Sequence, residues 1–145
     1  MVISFNKLDL SDKYNYINIE INDDGMSTDI FTNVILNNNI KAKVLLDSGA
    51  GNNSFWINSK YIKRLGLDKE RMDVKVKKSE FNNNIQSRFH IGNIESIKTQ
   101  NNLSKKENPR VLFVDELIYD GKTSIEWLGK IISIDLINKK IYILQ

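Results

Sequence analysis

The chain has no cysteine, so it carries no disulfide framework, no thiol nucleophile and no cysteine-ligated zinc. Its one histidine, His90, excludes multi-histidine metal centres and leaves any metal chemistry to carboxylates alone. His90 lies between Phe89 and Ile91, where the simplest role is a solvent-facing or singly hydrogen-bonded side chain. No apolar run exceeds five residues, too short to span a membrane as a helix. Met1 to Lys13 lacks the apolar centre of a signal peptide. Nor is there a concentrated basic face. Lysine and arginine number 21 against 18 acidic residues, a net charge of +3. The lysines are scattered apart from pairs such as Lys77-Lys78, Lys105-Lys106 and Lys139-Lys140. Nucleic acid and membrane are therefore not expected as partners, and nothing in the chain calls for a cofactor.

What remains is a chain of 145 residues, one domain's length, with 41% hydrophobic residues to build a core. Most of it reads as strand. Ile17, Ile19 and Ile21 alternate with Asn18, Glu20 and Asn22. "DIFTNVIL" and "IKAKVLLD" flank Asn37-Asn38-Asn39 as a hairpin. "MDVKVKK" alternates again, and the following "FNNNIQSRFHIG" suggests a second hairpin with its tip at Asn82-Asn83-Asn84. "RVLFV" is a short buried strand, and "KIISIDL" and "IYILQ" flank a turn at Asn138-Lys139. Two short helices are expected. In the first, Asn58 or Ser59 caps the start and Gly66 ends it in a left-handed conformation. The second lies around Ser124 to Gly129. "NNLSKKENPR" reads as a polar loop. The expected class is mainly β, a single domain over 1–145 with 1–13 as a flexible arm.

One stretch stands apart. In "KVLLDSGAGNNSFWI" a buried strand runs into Asp47, and Ser48, Gly49, Ala50 and Gly51 follow. An isolated Asp-Ser-Gly is ordinarily a turn, because all three residues favour turns. Apolar strands entering and leaving it point instead to a packed loop, where small side chains let another backbone approach the carboxylate. Phe55 and Trp56 in the departing strand read as core aromatics.

The segment "KAKVLLDSGAGNNSFWINSKYIKRLGL" resembles the first half of a retropepsin-like aspartic protease of the bacterial, single-domain type. "RFHIGNIESI" is similar to that family's strand after the flap. "DGKTSIEWLGKIISIDLINKKIYIL" is similar to its C-terminal unit of short helix, strand, turn and strand. The resemblance spans about Asp29 to the C-terminus and implies an acid-protease β-barrel. It implies an aspartic peptidase hydrolysing peptide or protein substrates, with Asp47, Ser48 and Gly49 catalytic and Ala50 and Gly51 against the substrate. The Lys78 to Gln86 hairpin becomes the flap. The family's chemistry needs two carboxylates sharing a proton. No second Asp-Thr/Ser-Gly exists here, since Asp115, Asp120 and Asp135 lack the small-residue loop. The resemblance thus implies a homodimer in which Asp47 of each subunit meets on a twofold axis. It also implies that "IYILQ" contributes an edge strand to the subunit interface. The sequence departs from the family just before the short helix. Two apolar residues and a glycine are usual there, and Lys122, Thr123 and Ser124 stand in their place. That departure is compatible with an alternative, a non-catalytic peptide-binding or dimerisation module on the same fold.

Overall fold

The computed structural model describes residues 15–51, 53–78 and 86–144. Strands dominate: β1 (Asn15–Asn18), β2 (Glu20–Asp23), β3 (Thr28–Leu36), β4 (Ile40–Asp47), β5 (Phe55–Asn58), β6 (Asp73–Lys78), β7 (Gln86–Asn93), β8 (Ser96–Thr99), β9 (Lys105–Glu107), β10 (Arg110–Val114), β11 (Gly121–Ser124), β12 (Ile132–Asp135) and β13 (Lys140–Ile143). One sheet runs β6-β7-β10-β5-β11-β4-β3-β8-β9, with β2 added to β3. A smaller sheet has the order β1-β13-β12. The mainly-β class expected from the sequence is what the chain adopts.

The β3–β4 hairpin forms where the asparagine triplet predicts it. Asn37 and Asn38 take φ of 44° and 68°, the left-handed region that asparagine tolerates better than most residues. Alternation then sets which residues face inward. Along β4, Ile40, Ala42, Val44 and Leu46 are buried while the residues between them are not. Val34, Leu36, Val44, Ile57, Ile97, Val111 and Phe113 fill one core cluster. Fully burying each such side chain contributes roughly 1.5–3 kcal/mol before conformational entropy is subtracted. A second cluster joins Ile17, Ile19, Leu46, Ile125, Leu128 and Ile141, and fastens the small sheet beneath the end of β4.

The two expected helices are present as 3-10 turns and not as α-helix. The first is a pair, Ser59–Tyr61 and Lys63–Leu65, and the second is Glu126–Leu128. The predicted caps hold. The Asn58 side chain accepts from the Lys60 N–H at 2.9 Å, and Gly66 closes the pair at φ 71°. A further 3-10 turn, Lys69–Arg71, follows. The "polar loop" at 101–110 contains a short strand, β9, which pairs with β8. β9 carries no apolar pattern to betray it, only "KKE" at the sheet edge.

The C-terminal strand corrects an expectation. β13 is the central strand of the small sheet, paired antiparallel to β1 through Ile17↔Ile141 and to β12 through Ile134↔Ile141. Neither of its edges is free. Among the described residues the small sheet's unpaired edges belong to β1 and β12, and around β12 the side chains of Ile131, Ile134, Leu136 and Ile137 are exposed.

Candidate active site

β4 turns every second residue into the core as far as Leu46, and its last residue is Asp47. Beyond it the chain turns through Ser48, Gly49, Ala50 and Gly51. Ser48, Gly49 and Gly51 are exposed, and Ala50 is half-buried. The loop therefore lies on the surface of the single chain and not in its middle. Small side chains keep it open, and Gly51 sits at φ 79°. The Gly49 N–H donates to Asp47 Oδ1 at 2.7 Å, which fixes the carboxylate against its own loop. The Ala50 N–H closes the turn on the Asp47 carbonyl at 3.4 Å.

β11 supplies the other wall. It runs parallel to β4 in the register Gly121↔Val44, Lys122↔Leu45, Thr123↔Leu46 and Ser124↔Asp47, and antiparallel to β5 on its other side. Ser124 thus sits beside Asp47, its hydroxyl buried without a hydrogen-bond partner among the described residues. Thr123 is fully buried, and its Oγ1 accepts from the Trp127 indole at 3.3 Å. Lys122 reaches the carboxylate itself: its Nζ lies 2.7 Å from Asp47 Oδ2. That ammonium, helped by the Gly49 N–H, holds the Asp47 carboxyl below its ordinary value against the opposing effect of partial burial. The same ammonium stands 4.9 Å from the centroid of Trp56.

A carboxylate at the end of a core strand, in a glycine-rich loop and backed by a parallel strand from the C-terminal part, is a definite topology. A solved structure of a retropepsin-like aspartic protease from Rickettsia conorii is similar to this chain in overall fold. That structure matches with a TM-score of 0.63 over 90% of this chain and 91% of its own, at 20% sequence identity. This chain has the retropepsin-like fold. No family model matches its sequence, and no curated protein matches it significantly.

Within this retropepsin-like fold Asp115, Asp120 and Asp135 are each engaged by partners other than Asp47. Asp115 binds Lys69 at 2.8 Å and faces His90 Nε2 at 3.3 Å. Lys69 and Ser59 pull its carboxyl down to about 2. Asp120 accepts the Lys43 N–H at 3.1 Å and pairs with Lys60 at 2.6 Å, and Asp135 caps the β12–β13 turn through Asn138. His90 is buried and engaged through one nitrogen, so the singly hydrogen-bonded role is the one it takes. Phe55 is core, as expected. Trp56 is only half-buried, edge-on to Phe89 at 5.4 Å and under the Lys122 ammonium. It belongs to the surroundings of Asp47, which its place in an apolar strand did not reveal. The hairpin expected as a flap has its stem in β6 paired with β7 up to Lys78↔Gln86. Its tip, 79–85, and the arm at 1–13 lie outside the described residues.

Proposed function

We propose that the chain is one subunit of a homodimeric aspartic peptidase, with Asp47 from each subunit forming the catalytic pair. The observation that carries this reading is the state of Asp47. Its carboxylate is oriented by the Gly49 N–H in an exposed loop of small residues, and Asp115, Asp120 and Asp135 are each bound elsewhere. Half a site is present, and a second copy of the loop completes it. The exposed edge of β12, rimmed by Ile131, Ile134, Leu136 and Ile137, supports assembly, because an uncovered apolar edge favours pairing. The small sheet packs in one cluster with Leu46, next to Asp47, so association through it would bring two loops near one axis.

In such a pair one carboxylate is ionised and activates a water for attack on the peptide carbonyl. The other is protonated, polarises that carbonyl and then returns a proton to the leaving amine. Ser48 would bind across the axis to the facing loop. Ala50 and Gly51, small and accessible, would let the substrate backbone lie close to the carboxylates.

A second reading has a specific observation behind it. The Lys122–Asp47 contact neutralises the very group that must share a proton, which favours a non-catalytic peptide-binding or dimerisation module. The two readings separate on a defined peptide mixture at acid pH, with products followed by mass spectrometry. The peptidase cuts, and Asp47→Asn cuts at least about a hundredfold more slowly while keeping its fold. Equal cleavage by the variant removes the assignment, and no cleavage by either leaves the binding module.

A further inference from the structure

Both oxygens of Asp47 are already occupied, but not equally firmly. Oδ1 is held by the Gly49 N–H at 2.7 Å, a backbone contact that moves only with the loop. Oδ2 is held by the tip of Lys122, a compact ammonium on a flexible four-carbon stem. This pair is accessible: 26% of the Lys122 side chain and 29% of that of Asp47 are exposed. The ammonium has a second resting place within reach, since it already lies over the Trp56 ring, and an aromatic face attracts a cation without neutralising it. No other charged side chain acts on Asp47 among the described residues. Leu45 and Leu46 precede it on β4, while Trp56, itself edge-on to Phe89 of β7, faces Lys122 from β5. Lys43, also on β4, is taken up by Glu20.

A loop whose one carboxylate carries one captive, mobile cation is open to a ligand that brings its own anion. We infer that Lys122 selects peptides carrying an aspartate or glutamate beside the residue that lies over the Asp47 loop, by leaving Asp47 for the carboxylate of the ligand. The inference rests on the loop being a peptide site, as proposed above. The exchange breaks one ion pair and makes one, so it is cheap where a neutral peptide offers nothing in return. It also frees Oδ2, which is the oxygen a shared proton or a water needs. Lys122 is then a specificity-determining residue, and the departure of "KTS" from the apolar pattern has a use.

The test uses the full chain and two acetylated pentapeptides, Ala-Ala-Glu-Ala-Ala and Ala-Ala-Gln-Ala-Ala, both amidated. Affinity is measured by calorimetry, and the Asp47 carboxyl is followed by carbon NMR against pH. The Glu peptide binds about twofold more tightly than the Gln peptide, because one partly exposed ion pair is made where another is broken and only their difference remains. It also moves the Asp47 titration upward, and the Gln peptide leaves it in place. Lys122→Met abolishes the preference and raises the Asp47 midpoint without any peptide. Lys122→Arg retains the preference. Equal affinities in the wild-type chain, no binding of either peptide, or an Asp47 midpoint unchanged in Lys122→Met overturns the inference. Cleavage is scored separately. A chain that prefers the Glu peptide and cuts neither keeps this inference and loses the peptidase.

Discussion

Gly121→Ala should destabilise the chain by roughly 2 kcal/mol, although it adds only one methyl group. Gly121 opens β11, inserted between β4 and β5, and a Cβ there would stand 2.8 Å from Ile57 Cδ1, 2.8 Å from the Trp56 carbonyl oxygen and 3.0 Å from Val44 Cγ1. Ile57 and Val44 are fully buried, and the carbonyl is backbone, so none of the three yields by turning a surface rotamer. Overpacking of this kind costs about 1–3 kcal/mol, and backbone contact places this case above the lower end. For a chain of 145 residues the unfolding entropy is about 0.3 kcal/mol/K, so Tm falls by about 6–7 °C. A thermal melt followed by circular dichroism reads it. Gly66→Val is the matched control: nothing lies within 4 Å of a Cβ at Gly66, but φ is 71°. Its cost is conformational, about 1 kcal/mol or somewhat more for a β-branched side chain. If Gly121→Ala melts with the wild type, β11 is not wedged between β4 and β5. The account of how Lys122 and Ser124 reach Asp47 then fails with it.

Asp115→Asn removes an acceptor shared by Lys69 and His90. The folded pKa of Asp115, about 2, lies below the ordinary 3.8, so the stability it contributes is present above 3.8 and is lost as pH falls through about 2. With 35% of the side chain exposed, solvent screening reduces the contribution to about 1 kcal/mol. Urea titrations should show that gap near neutrality and its closure as pH drops from 3.8 towards 2, and a gap independent of pH would refute the assignment. Ending the chain after Lys140 should unfold the small sheet and not simply release a dimer, because Ile141 is fully buried and β13 pairs on both sides. A folded monomer from that truncation, seen by sedimentation with an unchanged melt, would contradict the central place of β13.

What the sequence made legible was whatever rests on local pattern. The alternation of β4, the asparagine turn at 37–39, the cap at Asn58 and the left-handed Gly66 all follow from one or two residues and their immediate neighbours. Asp47 was legible because a carboxylate ending an apolar strand before four small residues is locally conspicuous. β11 was not, because "GKTS" has neither apolar alternation nor β-branched density. Its strand state comes from the partners on both sides, a long-range effect that overrides propensity. The Lys122–Asp47 pair was hidden for the same reason, its members being 75 positions apart (122 − 47) and joined only by parallel register. The place of β13 was misjudged because a chain end looks like an edge until its partners are known. β1 and β12 are those partners, and β1 comes from the opposite end of the described chain.

Mixing tests most directly whether one site needs two chains. Wild-type and Asp47→Asn chains are unfolded together in equal amounts, refolded so that subunits pair at random, and assayed for peptide cleavage at acid pH. If each site takes Asp47 from both subunits, only the dimers with two wild-type chains cut, and activity per total chain is about a quarter of that of the wild type alone. An activity of about one half means that each chain carries a complete site of its own, and the shared pair of Asp47 carboxylates is wrong.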